Sequence, residues 1–377
     1  MKTKTLASAI IAAAFAATPA IAEPEKTEAK VQIALLLDTS NSMDGLIDQT
    51  KTQLWKVVNT FIDAKRGDEV PFVEVALYEY GNNALALTDH YIRQVEGFTR
   101  DLDALSGHLF SLKTFGGQEY CGAVIRRAIT DLAWDDDPNT YKAIFIAGNE
   151  PFTQGPIDPM QACRDAKAMG IIVNTIHCGP RQHGISGSWQ DGAANGGGEF
   201  MVIDQDRAVR HIPAPQDAKI AELGIRMNQT YLGYGKAWTA NAVRQRAADE
   251  DALAHAPSGA AVQRAVSKAS QNYHNAAWDL VDATREGTVD LENLDSTELP
   301  EDLRELNAEA LKARIDEAAK QRAAIQQEIA ELNRARTAFI EAERQKQADA
   351  AGEKTLDEVM VETTRAQAAK LGYQFAQ

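Results

Sequence analysis

The chain has 377 residues, 44% of them hydrophobic, and carries 39 lysines and arginines against 54 aspartates and glutamates, a formal net charge of −15. That length admits two domains, or one domain with extensions, and the composition is that of a soluble globular protein. So acidic a chain has no basic stripe to neutralise phosphates, which excludes nucleic acid as a partner and equally disfavours anionic membrane surfaces.

The N-terminus reads as an export signal. Lys2 and Lys4 precede an apolar stretch, Leu6 to Ala17, that is too short to span a bilayer comfortably, and Ala20-Ile21-Ala22 fits an A-x-A cleavage site. Cleavage after Ala22 removes two lysines and takes the formal charge to −17. No cysteine follows the cleavage site to carry a lipid, and no later apolar run has the length of a membrane span. The mature chain is therefore expected to be soluble, without a transmembrane anchor, and periplasmic or secreted. A charged, unpatterned lead-in, Glu23 to Lys30, follows.

From Val31 to Met43 the chain reads VQIALLLDTSNSM. An unbroken apolar run of this kind predicts a strand buried on both faces, as in the centre of a parallel sheet. It runs into Asp38, Ser40 and Ser42, a carboxylate and two hydroxyls spaced by two, which can turn toward one point beyond the strand's end. Hard oxygen donors so placed suit Mg²⁺ or Mn²⁺. The same residues can instead cap the next helix and hydrogen-bond the loops.

Leu46, Leu54, Val57, Val58, Phe61 and Ile62 then recur at helical spacing through Ala64. Residues 71–80 alternate, with Val73, Val75 and Leu77 on one side, and Asn82-Asn83 turn the chain into a second extended run ending near Val95, a hairpin with an edge strand. Thr99 to Leu112 is helical. After Thr114 comes TFGGQEYCGAVIRRAITDLAW, in which the glycine pair permits close backbone approach and Cys121, Ile125, Ala128 and Leu132 form a buried helical stripe. Lys142 to Pro151 is an apolar strand with a turn, Asp158 to Met169 a helix, and Ile171 to His177 a strand. Trp189 and Ala193 lie on a short helix before a last strand, Glu199 to Ile203. Strands alternating with helices from Val31 to Asp204 predict an α/β fold, a doubly wound and mostly parallel sheet with its site at the strands' carboxyl ends.

On D-x-S-x-S after an apolar strand, the glycine-flanked turn near Thr114 and KAIFIAGNEP, the span 30–206 resembles the von Willebrand factor type A (vWA) family and its metal-ion-dependent adhesion site. The runs AGNEPFTQGP, ACRDAK and VNTIHCG further resemble a bacterial exported subgroup of that family. The resemblance implies five ligand positions. Asp38, Ser40 and Ser42 carry the expected chemistry; Gln118 stands in the place of a threonine, Thr114 lying four residues too early. Ala147 and Gly148 stand where a threonine and the ligating aspartate belong, while Glu150 and Pro151 match. The expected site is thus a weakened one of Asp38, Ser40, Ser42, Gln118 and Glu150, with Glu150 or Glu119 compensating for the missing aspartate.

Three cysteines, Cys121, Cys163 and Cys178, predict in an exported protein one disulfide and one thiol, pairing either Cys121 with Cys163 or Cys163 with Cys178. A zinc or redox site from His177, Cys178 and His183 matches no standard spacing.

After Asp204 the character changes. Residues 213–288 read as helices broken at Gly233-Tyr234-Gly235 and Pro257-Ser258-Gly259, with Val262, Val266, Ala269, Tyr273, Ala276 and Leu280 as one apolar stripe. Trp238 and Trp278 are expected to dock these helices. Past an acidic linker, Asp290 to Glu298, the region 298–377 reads as a long helix, Leu303 to about Ala350, and a terminal helix, the long one with Leu311, Ala318, Ile325, Leu332 and Phe339 seven apart and Ile315, Arg322, Ile329 and Arg336 at the companion position. That repeat predicts a coiled coil with another chain, giving a homo-oligomer, or a hairpin, bent at Gly352, against a last helix, Leu356 to Leu371.

No Ser-His-Asp order, G-x-S-x-G elbow, phosphate loop or C-x-x-C is present, so the expectation is not an enzyme but an exported binding protein. The resemblance implies a top face, metal-assisted or metal-free, that takes a protein partner in the cell envelope. An envelope spacer with a vestigial site is the competing reading.

Overall fold

The computed structural model describes residues 29–43, 56, 58–62, 64–203, 212–254, 259–348 and 356–375. The export signal, most of the helix expected over 46–64, Pro257-Ser258 and the bend at Gly352 lie outside the described residues.

Seven strands come first: β1 (Lys30–Asp38), β2 (Ala64–Arg66), β3 (Phe72–Tyr80), β4 (Ile92–Thr99), β5 (Tyr141–Gly148), β6 (Ile172–Cys178) and β7 (Gly197–Ile203). Six of them form one sheet in the order β4-β3-β1-β5-β6-β7. The apolar β1 is central, with Ile33 opposite Val75 on one side and Ala143 on the other, both pairings parallel. Only β4 runs antiparallel, on β3, which is the predicted edge hairpin. Because the chain leaves β1 for one neighbour and later returns to the other, the strand order reverses at the carboxyl end of β1, the position where open α/β sheets leave a crevice.

Alternation along β1 sends Val31, Ile33, Leu35 and Leu37 into one core and Ala34 and Leu36 into the other. Burial of each such side chain contributes about 1.5–3 kcal/mol, so two-sided burial of β1 strongly fixes its register. The first core is covered by α1 (Leu102–Ser111), through Leu102, Leu105 and Leu109. The second is covered by α2 (Cys121–Asp131), α3 (Pro159–Ala168) and Trp189, the short α4 (Arg181–Ser186) leading to α5 (Trp189–Gly196). Local chemistry sets the helix starts. Asp101 accepts from the Ala104 N–H, and Asp158 accepts from Met160 and Gln161 with Pro159 in the first turn.

The helical half contains α6 (Asp217–Met227), α7 (Trp238–Ala254), α8 (Ala260–Lys268), α9 (Leu280–Glu286) and the 41-residue α10 (Ala308–Ala348). The stripe expected from Val262 to Leu280 is not one helix, since α8 ends at Lys268 and α9 begins at Leu280. Tyr273 and Ala276 are still buried, and Trp278 stacks on Tyr231 with ring centroids 5.7 Å apart while its N–H donates to Asn275.

The seven-residue repeat of α10 is real, but its partners are in the same chain. Leu311, Ile315, Ala318, Ile325 and Ile329 pack into cores shared with α6, α8 and α9. Arg322 is buried and donates to Asp279 at 2.7 Å, to Asp282 at 3.1 Å and to Thr230, and Arg336 reaches Asp217 at 2.7 Å. The seam expected to meet a second chain is thus occupied, and its two arginines answer acids on neighbouring helices of the same fold.

The last segment, α11 (Leu356–Ala369) and β8 (Tyr373–Phe375), does not form a hairpin on α10 but returns to the sheet. Met360, Ala368 and Tyr373 complete the first core, and β8 pairs antiparallel with β2. Gln367 and Asn174 exchange amide hydrogen bonds at 2.8 and 3.2 Å, and Tyr141 Oη–H donates to Gln367. Residues 356–375 therefore pack with the α/β layer rather than with the 298–348 segment. A buried cluster joins the two halves: Arg264 donates to Asp103 on α1 at 2.6 Å and to Asp249 at 2.5 Å, and Tyr273 donates to Asp103.

Cys121, Cys163 and Cys178 are all buried, and no disulfide is seen among the described residues. The pairing of Cys163 with Cys178 is excluded by layer: Cys163 lies in the core on one side of the sheet and Cys178 in the core on the other.

Candidate functional site

Asp38 closes β1 with 0% exposure. Its Oδ1 accepts from the Ser40 backbone N–H at 2.7 Å and its Oδ2 accepts from the Ser40 hydroxyl at 3.1 Å. The loop is tied to β3 by the Thr39 N–H, which donates to the Tyr80 carbonyl at 2.9 Å. Gly81 follows, at φ 77°, and a Cβ there would stand 2.5 Å from Asp38 Oδ1 and 2.9 Å from Glu119 Cγ. Only glycine lets the end of β3 come this close to two carboxyl groups.

The second carboxyl group is Glu119, 2% exposed, from the glycine-flanked turn. Its backbone N–H donates to Gln154 at 2.5 Å, and its Oε2 accepts from the Glu150 N–H at 3.2 Å. Its carboxyl stands within hydrogen-bonding reach of both Asp38 and Ser40. Burial first, and then the charge of Glu119, push the Asp38 carboxyl well above the usual carboxylate range; burial likewise raises Glu119, against the hydrogen bonds it receives. The largest influences on the pair are burial, each other, Ser40 and Glu150, none of them cationic.

The other predicted ligands are placed differently. Gln118 is exposed, its Oε1 accepting from the Tyr120 hydroxyl at 3.3 Å, because the turn points it outward and its successor inward. Glu150 is exposed too, and serves the site through its main chain: its N–H holds Glu119, and its carbonyl accepts the Trp189 indole N–H at 2.8 Å. At Gly148 a Cβ would meet the Tyr80 hydroxyl at 2.6 Å and the Trp189 ring at 3.0 Å, so the place of the family's aspartate is filled by aromatic side chains. Ser42 lies on the short turn Asn41–Met43, its side chain outside the described residues. Sequence reasoning ranked Glu119 only as a neighbour; the signal for it was a carboxylate two residues after the glycine pair, facing the D-x-S-x-S loop across Gly81.

Two buried carboxyl groups and a hydroxyl that face one another make a hard-oxygen donor set, and that chemistry fits a divalent cation of the Mg²⁺ or Mn²⁺ kind. Among the described residues no group of three or more His, Cys, Asp or Glu side chains converges as a metal site. His177 and Cys178 cannot act together, since His177 packs toward Trp189, with ring centroids 5.8 Å apart, while Cys178 belongs to the opposite core.

Around this locus, two loops are tied together by the Asn83 N–H, which donates to the carbonyls of Phe115 and Gly116 at 3.4 and 3.2 Å. Each carries a large exposed apolar side chain, Leu87 at 63% and Phe115 at 56%. His90 and Tyr91 both have φ 56°, a left-handed conformation uncommon for such residues, and both rings pack against Tyr120.

No family model matches the chain, and no curated protein matches it. Among solved structures, BatB from Bacteroides thetaiotaomicron aligns at 16% identity over 46% of this chain and 90% of that one, with a TM-score of 0.36. The vWA domain of SpRpn10 aligns at 16% identity over 46% and 87%, also at 0.36. Proximal thread matrix protein 1 from the mussel byssus, with a zinc-occupied adhesion motif, aligns at 14% identity over 48% of this chain and 43% of that one, at 0.37. With β1 central, the order β4-β3-β1-β5-β6-β7 and one antiparallel edge strand, the described residues of 30–203 have a doubly wound α/β fold of the vWA type, with D-x-S-x-S at the switch point. A helical region follows it, and no described helix is long and apolar enough to cross a membrane.

Proposed function

We propose that this is an exported, non-catalytic binding protein whose vWA top face engages a protein partner in the cell envelope, with Mg²⁺ or Mn²⁺ held at Asp38 and Ser40. The observation that carries the reading is the meeting of buried hard-oxygen donors with exposed apolar side chains at one end of the sheet. When bound, the cation supplies a Lewis-acidic point that can accept an oxygen from a ligand. The chain's own residues do the rest. Ser40 and Asp38 fix each other's oxygens, Gly81 allows the loops to close over them, and Leu87 and Phe115 offer apolar area at the rim. Exposed apolar residues in such a setting are typical of interaction sites.

Affinity capture from envelope extract tests this, comparing the mature protein with Leu87→Asp and Phe115→Asp, and with Val243→Asp, an exposed position on α7, as the control. The expected result is a partner lost with either rim variant and with chelator but kept with the control. Capture indifferent to the rim variants contradicts the reading.

A further inference from the structure

We propose that Glu119 is the second anionic ligand of the top-face cation, so that the carboxylate lost at Gly148 is supplied from the glycine-flanked turn on the other side of Asp38. The inference rests on the cation reading above, and it departs from the ligand set the family implies. Three features of the chain carry it. The last position of β5, Gly148, is closed to any side chain, with the Tyr80 hydroxyl 2.6 Å and the Trp189 ring 3.0 Å from where a Cβ would begin. Tyr80 is itself fixed, its hydroxyl donating to the Ala147 carbonyl at 2.9 Å, and Trp189 is anchored through its indole N–H on Glu150, so neither yields the space. On the opposite side, Gly81 forms a cradle that a Cβ would fill, its nearest atoms being Asp38 Oδ1 and Glu119 Cγ.

Glu119 is held for this role at both ends. Its main chain is pinned by Gln154 and one carboxylate oxygen by the Glu150 N–H, which orients the carboxyl toward Asp38 and Ser40. Glu150, the compensating ligand expected from sequence, is thereby recast as a positioning residue acting through its backbone. The donor set then contains two carboxylates and a serine hydroxyl, all hard oxygens, and selects Mg²⁺ or Mn²⁺ over softer metals.

Titration of the mature protein with Mn²⁺, read by paramagnetic resonance of the free ion and by the shift in melting temperature, tests the assignment without reference to any partner. Glu119→Gln is expected to weaken Mn²⁺ binding about tenfold or more, since even outer-shell changes at metal sites cost about 10–100-fold. Glu119→Asp is expected to bind more strongly than Glu119→Gln, because the charge is kept. Glu150→Gln is expected to bind as the parent does, because its backbone N–H is untouched. Parental affinity in Glu119→Gln, equal losses in Glu119→Gln and Glu150→Gln, or no binding by the parent at millimolar Mn²⁺ overturns the assignment. The last outcome identifies the two carboxyls as a proton-sharing pair. Loss of partner capture with Mn²⁺ binding intact bears instead on the proposed function.

Discussion

Filling the last position of β5, Gly148, is the perturbation whose outcome the geometry fixes most firmly. An aspartate at residue 148 restores the family's pattern on paper, and from sequence alone Gly148→Asp is expected to strengthen the cation site. In the structure even Gly148→Ala must push its Cβ into atoms 2.6 and 3.0 Å away, belonging to Tyr80 and Trp189, both fully buried. Overpacking a well-packed core costs about 1–3 kcal/mol. Displacing Tyr80 also breaks its hydrogen bond to Ala147, worth about 0.5–1.5 kcal/mol net. Gly148→Ala is therefore expected to lose about 2–4 kcal/mol on these two terms. Gly148→Asp is expected to lose more, because it adds a charge beside the Asp38 and Glu119 carboxyls. Urea unfolding followed by Trp fluorescence measures the first, and calorimetric Mn²⁺ titration the second. Gly148→Ala as stable as the parent, or tighter Mn²⁺ binding in Gly148→Asp, refutes the reasoning.

Further expectations follow from other contacts. Arg322→Ala leaves the buried Asp279 without its cation and Asp282 with only the exposed Arg285, and is expected to cost about 3–5 kcal/mol in urea unfolding, whereas Lys312→Ala, in an exposed pair with Asp316, should cost under about 1 kcal/mol. Gln367→Leu removes the acceptor of the Asn174 amide N–H and of the Tyr141 hydroxyl and is expected to lower stability by about 1–3 kcal/mol, read as a lower melting temperature. With metal chelated, both Asp38 and Glu119 titrate higher folded than unfolded, so their contribution is complete below the unfolded carboxyl range and is lost as pH rises through the folded values. The melting temperature of the parent should thus fall with rising pH relative to Glu119→Gln, and parallel pH profiles would contradict the buried pair. Alkylation after unfolding without reductant should label three thiols per chain, and a peptide linking Cys178 to Cys163 or Cys121 would contradict the layer assignment.

The α/β half was legible because each of its signals is local. Two-sided burial of β1 left an unbroken apolar run, the alternation in 72–80 marked the next strand, and Cys121, Ile125, Ala128 and Leu132 gave α2 its face. What failed depended on direction and distance. Gln118 and Glu119 are adjacent in an irregular turn, where neither the period of a helix nor that of a strand tells which side chain points inward; position counting chose Gln118, which is exposed, while Glu119 is buried. The seven-residue spacing in α10 correctly reported a buried stripe but carried no information on what buries it. Arg322 and Arg336 in that stripe were the clue, since a buried arginine needs acids in fixed positions, and Asp279, Asp282 and Asp217 supply them. The return of α11 to the sheet rests on contacts such as Gln367 with Asn174, 193 residues apart, which no local pattern encodes.

The central claim is that the end of β1 and the glycine-flanked turn together hold a divalent cation at the carboxyl end of the sheet. A crystal structure of the mature protein grown with Mn²⁺, with anomalous data collected at the manganese edge, tests it most directly. One anomalous peak is expected among the oxygens of Asp38, Ser40 and Glu119. A peak bound instead by the Glu150 or Gln118 side chain, or no peak with Asp38 and Glu119 still in contact, contradicts the claim.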